Sequence, residues 1–158
     1  MIPLKNPTLF QNKAYINGRW AEAENGKTYP VKNPANGALI AEVPDMGAIE
    51  TKQAIEAANA ALPAWKAKTA GERASILRRW YELQMANADD LGLILTTEQG
   101  KPLPEAIGEI RYGASFVEWF SEEARRAYGD VIPAHGPDKR IVVIKQPIGV
   151  VAAITPWN

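Results

Sequence analysis

The sequence, 158 residues long, contains no cysteine. That excludes a disulfide framework and any thiolate-held metal in this segment. Histidine is nearly as scarce. The one example, His135, sits in the turn Pro133-Ala134-His135-Gly136-Pro137, so no metal site is expected, and no Ser/His/Asp arrangement is present. Charge of one sign is also missing, with 18 Lys+Arg against 18 Asp+Glu. Without a basic excess to hold a phosphate backbone, nucleic acid is not an expected partner. The basic pair Arg78-Arg79 reads as the solvated face of a helix. No apolar run is long enough to span a bilayer, so no membrane partner is expected. The opening residues lack a basic stretch followed by an apolar core, so no secretory leader is expected and a cytoplasmic location is. There is no glycine-rich phosphate fingerprint, no internal repeat and no low-complexity segment.

Apolar residues make up 46% of the chain, enough for the core of one ordinary domain. The first third reads as short strands and turns. Asn17-Gly18 between Ala14-Tyr15-Ile16 and Arg19-Trp20 signals a hairpin, because both residues tolerate the positive φ of a type I′ turn. Thr28–Lys32 follows as an edge strand, demoted by Pro30. Asn33-Pro34-Ala35-Asn36-Gly37 makes the next turn, and Ala38–Val43 the next strand. Together they predict a small antiparallel sheet.

From Met46 the apolar period lengthens to that of helices. Ile49, Ala54, Ile55, Ala58 and Leu62 share a face, and Pro63 is expected to end that helix. Thr69-Ala70-Gly71-Glu72 is a capping box opening a second helix, with Ile76, Leu77, Trp80 and Leu83 as its predicted apolar face and Arg73 outward. Asn87 or Asp89 is expected to cap a third helix that Gly100 closes. The longest helix starts near Leu103 with Pro104 in its first turn. Its stripe is Ile107, Ile110, Ala114, Val117 and Ala124, widened by Phe116 and Phe120. Run unbroken to Tyr128, it would be on the order of 40 Å long. Gly108 and Gly113 would each weaken it by roughly 1 kcal/mol, which points to close packing against another element. Glu122 and Arg126 are spaced for an ion pair, and Arg125-Arg126 suit the negative end of the helix dipole.

Arg140–Gln146 is a β-branched strand that Pro147 ends. The unbroken apolar run Ile148-Gly149-Val150-Val151-Ala152-Ala153-Ile154 then reads as a strand buried on both faces of a parallel sheet. Thr155-Pro156-Trp157-Asn158 lies just past its carboxyl end, where ligands bind in open α/β sheets. A parallel neighbour requires a crossover of a dozen residues or more, and none follow. The expectation is the front part of a longer protein.

Four ordered segments carry a family resemblance: Ile16-Asn17-Gly18-Arg19-Trp20, Asn33-Pro34-Ala35-Asn36-Gly37, Glu98-Gln99-Gly100-Lys101-Pro102, and Pro147-Ile148-Gly149-Val150 running into Thr155-Pro156-Trp157-Asn158. Over essentially its whole length the chain resembles the amino-terminal part of the aldehyde dehydrogenase superfamily. Through EQGKPLPEAIGEIRYGASFVEWFSEEARRAYGDVIP and KRIVVIKQPIGVVAAITPWN it is most similar to the bacterial succinate-semialdehyde branch, and the glutarate-semialdehyde and betaine-aldehyde branches share much of the pattern.

The resemblance implies an α/β fold: small antiparallel strands, a helical cluster, an arm strand and the first strand of a Rossmann-like parallel sheet. Residues 1–146 would form the amino-terminal part of the cofactor-binding domain, with a strand of the oligomerisation arm near 139–146. Residues 147–158 would supply the first core strand and the start of the cofactor and active-site loop, the catalytic domain being absent. The implied reaction oxidises an aldehyde, succinate semialdehyde first, to its carboxylic acid. A cysteine thiolate attacks the carbonyl, hydride leaves to NADP⁺ or NAD⁺, with NADP⁺ favoured, and water hydrolyses the thioester. Having no cysteine, the chain alone is expected to be inactive.

By the same resemblance, Asn158 is the catalytic residue, its amide donating to the oxyanion of the attacked carbonyl. Ile154, Thr155, Pro156, Trp157 and Asn158 form the cofactor-contacting stretch. Their bland alternatives are a turn-capping asparagine and a core tryptophan. Glu98, with backbone near Val31 and Lys32, matches a monovalent-cation site in some relatives, but a helix-end cap is the simpler reading. Phe116, Trp119 and Phe120 would flank the substrate entry or serve as plain core. A homodimer or homotetramer is implied for the full-length protein. Two other readings stay open: a non-catalytic truncated relative, and a helical interaction module that folds alone.

Overall fold

The computed structural model describes residues 2–155. Three two-stranded antiparallel ribbons flank a helical cluster. Strands β1 (Ala14–Ile16) and β2 (Arg19–Ala21) pair through the Asn17-Gly18 turn, with φ of 49° and 76° at the two residues. Both angles are positive, as a type I′ turn demands. The Tyr15 and Trp20 rings meet edge to face across this hairpin, 5.2 Å between centroids. Strands β3 (Thr28–Lys32) and β4 (Leu39–Pro44) form a separate ribbon with a register shift at Val31/Lys32. The early strands are therefore two ribbons, not one sheet.

Helix α1 (Ala48–Ala67) runs through Pro63 instead of ending there. One proline removes a single hydrogen bond, and the surrounding Ala57, Ala58, Ala60, Ala61 and Ala64 favour helix strongly enough to carry the chain past it. Glu50 fixes its start. One carboxylate oxygen accepts the Gly47 N–H at 2.9 Å, and the other accepts the Glu24 N–H, also at 2.9 Å. The carboxylate is buried. It thereby ties the helix to the loop before β3. The backbone N–H of Glu24, then that of Gly47, hold this carboxyl below the ordinary glutamate range.

Helix α2 (Ala70–Ala86) opens on the expected capping box. Glu72 accepts the Thr69 N–H at 2.7 Å, and the Thr69 hydroxyl accepts the Glu72 N–H at 3.3 Å. Asn87 stands between α2 and α3 (Ala88–Gln99), but its amide turns back to donate to the Leu83 carbonyl at 2.8 Å. Gly100 closes α3 with a left-handed φ of 83°. Helix α4 (Leu103–Glu123) is shorter than expected, giving way to a single 3-10 turn at Ala124–Arg126. Arg126 consequently pairs with Glu123 at 2.6 Å, not with Glu122.

Helices α2 and α3 both pack on α4 and scarcely touch each other, while α1 stands apart and touches β1. The contact faces are built from small residues: Ala74, Ala88, Gly92, Ala106, Ala114 and Ser121 are buried. Large apolar side chains are not. Ile76, Trp80, Leu83, Phe116, Trp119 and Phe120 are all exposed. The inward stripe of α2 is Ala74, Leu77, Tyr81 and Gln84, and the predicted Ile76–Trp80–Leu83 face is a second stripe open to solvent. Arg73, expected outward, is half-buried and donates to the Lys68 carbonyl. Close packing also falls elsewhere than expected. A Cβ at Gly108 or Gly113 would meet nothing within 4 Å, whereas one at Gly92 would lie 2.5 Å from Ile107 Cγ1.

After α4, β5 (Asp130–Ile132) and β6 (Ile141–Val143) pair as an antiparallel hairpin, so the predicted strand at Arg140–Gln146 is three residues long and has an upstream partner. The predicted terminal strand does not form within the described residues. Residues 144–155 carry no regular secondary structure, and Ile148 and Ile154 are each 96% exposed. A strand exists only as part of a ladder, and among the described residues no neighbouring strand or covering helix completes one.

Two outcomes are expected from this packing. Gly92→Ala should destabilise the fold by about 1–3 kcal/mol, as overpacking does. Gly108→Ala should instead be neutral or stabilising by up to ~1 kcal/mol. Equal midpoint shifts for the two in urea denaturation would refute the α3–α4 contact. Because its folded pKa is lowered, Glu50 contributes stability above its unfolded pKa of about 4.3, lost as pH falls through the folded value. The melting temperature should therefore drop more steeply between about pH 6 and pH 3 in the native protein than in Glu50→Gln; parallel curves would refute the tie.

Candidate functional site

Of the five residues expected at the cofactor and oxyanion site, Ile154 and Thr155 are described and both are exposed. Neither side chain has a hydrogen-bond partner among the described residues. Pro156, Trp157 and Asn158 lie outside the described residues. The segment that carries this stretch leaves β6 with its large apolar side chains exposed, Val151 at 76%.

Two of the resembling motifs come together. The turn Asn33-Pro34-Ala35-Asn36-Gly37 packs on the end of α3, where Pro34 Cγ lies 3.0 Å from the position a Cβ on Gly100 would take. The turn is itself rigid: the Asn33 carboxamide oxygen accepts the Ala35 N–H at 2.9 Å, and the Asn36 oxygen accepts the Ala38 N–H at 2.9 Å. Glu98 sits at this junction, half-buried, with no hydrogen bond or ion pair among the described residues. Burial pushes its carboxyl above the ordinary range. It does not act as a helix-end cap. Among the described residues no three His, Cys, Asp or Glu side chains converge as a metal cage would require.

Phe116, Trp119 and Phe120 line one concavity of about 630 Å³ on the open side of α4, with Ser115, Glu118 and Glu122 at its edge. The Tyr112 ring extends this aromatic surface, meeting Phe116 edge to face at 4.9 Å. Helical spacing places the three aromatics on one side of the helix, and no part of the described chain covers them. Such a wall can exclude water from a small apolar group, and among the described residues the only acid or hydroxyl groups lining it are Glu118, Glu122 and Ser115 at its edge. His135 stays in the β5–β6 turn, its Nε2 3.3 Å from Lys139 Nζ. Among the described residues no helix is long and apolar enough to cross a membrane.

One grouping escapes the sequence. The pairs Arg78-Arg79 and Arg125-Arg126 read separately as a solvated face and as dipole partners. In the fold all four line a second cleft, of about 660 Å³, between α2 and the turn that follows α4. Two Arg-Arg pairs in a chain of balanced charge were the available signal.

The family model described as the aldehyde dehydrogenase family matches residues 20–158. A glutarate-semialdehyde dehydrogenase of Pseudomonas putida is 64% identical over 99% of this chain and 33% of its own length. An NADP(+) succinate-semialdehyde dehydrogenase of Escherichia coli is 61% identical over 99% of this chain and 33% of its own length. A crystal structure described as an E. coli NADP-dependent enzyme superposes with a TM-score of 0.96 at 61% identity, covering 98% of this chain and 32% of that one. The chain thus spans about a third of the length of the curated relatives it matches. With the family model matching most of its length and the fold superposing this closely, the chain belongs to the aldehyde dehydrogenase family.

Proposed function

We propose that this chain forms the amino-terminal portion of an NAD(P)⁺-dependent enzyme that oxidises succinate semialdehyde to succinate. The observation that carries the reading is 61% identity to the E. coli succinate-semialdehyde enzyme across 99% of the chain. NADP⁺ is favoured over NAD⁺ on the same ground, that relative being named for NADP⁺. The five-carbon glutarate semialdehyde is the second reading, favoured by the 64% identity of the P. putida relative.

In the full-length protein, residues 147–158 supply the first core strand and the start of the cofactor loop. Ile148, Val151 and Ile154 are apolar and uncovered, and Thr155 is exposed beside them. An apolar edge followed by a hydroxyl suits a planar nicotinamide and its ribose, and Pro156 and Trp157 are the next cofactor-contacting residues of the proposal. When bound, NAD(P)⁺ accepts the hydride. Asn158 donates its side-chain N–H to the carbonyl oxygen as negative charge builds on it, a role that needs fixed geometry and little reorganisation. Phe116, Trp119 and Phe120 shield the methylene part of the substrate from water. The nucleophile comes from outside this chain, which has no cysteine, so the chain by itself is inactive. The β5–β6 hairpin, with Val131 and Val142 at 78% and 66% exposure, is the arm through which full-length subunits join as dimers or tetramers. The protein works in the cytoplasm.

Reduced-cofactor absorbance tests the substrate. The full-length enzyme should show kcat/KM for succinate semialdehyde roughly 10-fold or more above that for glutarate semialdehyde, the scale on which one methylene is discriminated. The reverse order would install the second reading, and turnover by the present chain alone would refute the outside nucleophile. Asn158→Ala should lower kcat by about 100- to 1,000-fold while cofactor affinity changes little. Equal losses in both would make Asn158 a structural residue.

A further inference from the structure

Arg78 and Arg79 on α2 and Arg125 and Arg126 in the turn after α4 converge on one cleft of about 660 Å³, with Tyr128 at its mouth. No lysine lines it. Two of the guanidinium groups are engaged: Arg78 with Glu118 at 2.9 Å and Glu82 at 3.4 Å, and Arg126 with Glu123 at 2.6 Å. Arg79 reaches only Glu82, at 3.8 Å, a carboxylate it shares with Arg78. Arg125 has no hydrogen bond or ion pair at all among the described residues. Its guanidinium lies against Gly71, in the first turn of α2, 3.6 Å from where a Cβ would stand. That is the positive end of the helix dipole, and the one acid of this first turn, Glu72, is engaged with Thr69.

We propose that this cleft binds a small phosphoryl-bearing anion, held by Arg125 and Arg79. Arginine presents planar forks that meet tetrahedral oxyanions bidentately, where lysine offers only a point charge. Arg79 lines the cleft from α2 and Arg125 from the turn after α4, so the two exposed forks belong to different walls. Glu122 also lines the cleft and has no partner among the described residues. It opposes the anion and sets the affinity below what the arginines alone would give. The site owes nothing to the oxidation of an aldehyde and stands or falls separately from it.

Calorimetric titration of the full-length protein with inorganic pyrophosphate, without aldehyde or cofactor, tests the site. One saturable site is expected, and sodium chloride at equal ionic strength should not reproduce it. Arg125→Gln and Arg79→Gln should each weaken binding about tenfold, the scale of one charge-assisted hydrogen bond. Arg19→Gln, in the β1–β2 hairpin, should leave it unchanged, and Glu122→Gln should tighten it severalfold. Arg79 is 69% exposed, so its replacement tests the site even if Arg125→Gln fails to fold. Absence of a saturable site, an equal response to chloride, or unchanged binding in Arg79→Gln and Glu122→Gln would overturn the proposal.

Discussion

Everything in the helical cluster depends on how closely α3 can approach α4. Gly92 lets the Ile107 side chain and backbone lie directly against α3, with Ile107 N 3.0 Å from where a Cβ would be. Ala88, Ala106 and Ala114 keep the rest of that seam, and Ala74 that of α2, free of bulk. Small-residue seams bury little apolar area per residue, so each contributes modestly on the usual scale of ~25 cal/mol per Å². What they contribute instead is position. With α2 and α3 both seated on one helix, the two ends of α4 acquire fixed surroundings: the Pro34–Gly100 junction near its start and the arginine cleft at its finish.

Buried carboxylates do the remaining fastening. Asp90 accepts the backbone N–H groups of Lys5 and Asn6 at 3.0 and 2.7 Å, tying the amino-terminal segment onto α3. Glu50 does the same for the loop at Glu24 and the start of α1. An ionised carboxylate is acceptor-only, so two backbone donors satisfy it without a counter-charge. Breaking such a tie leaves an uncompensated buried charge, which costs more than the bonds themselves are worth. The contrast with Glu98 is instructive. It is half-buried and lacks donors among the described residues, and its carboxyl accordingly rises where that of Glu50 falls.

Local chemistry was legible in the sequence and long-range choice was not. Thr69 with Glu72, Asn17 with Gly18, and Gly100 each act within four residues of themselves, and each behaves as its chemistry requires. Pro63 was misleading because its cost is weighed against a whole alanine-rich helix. The face of α2 was misread because that helix carries two apolar stripes, and the one holding Ala74 was the less conspicuous. The terminal run was read as a strand from composition, but a ladder is made by its neighbour. For the site, motif order identified the family without describing its geometry, and Asn158 was reached by resemblance alone. The arginine cleft was invisible because its two halves meet only after α4 folds back on α2.

The distribution of bulk along α4 carries the last step. Ile107, Ile110 and Val117 are partly covered by neighbouring helices, while Phe116, Trp119 and Phe120 on the other side stand open. A surface helix of a finished domain keeps its apolar residues on the packed side, whereas here a second apolar stripe stands on the open side. Helix α2 repeats the pattern, with Ala74 and Leu77 inward and Ile76, Trp80 and Leu83 open. The same holds for the run from Ile148 to Ile154. Three separate elements thus present apolar faces far larger than single scattered side chains would give. These open faces occur in a chain that spans about a third of the length of the curated relatives it matches. The arginine cleft, by contrast, is lined by charge on both walls, and no apolar stripe of the described residues opens into it.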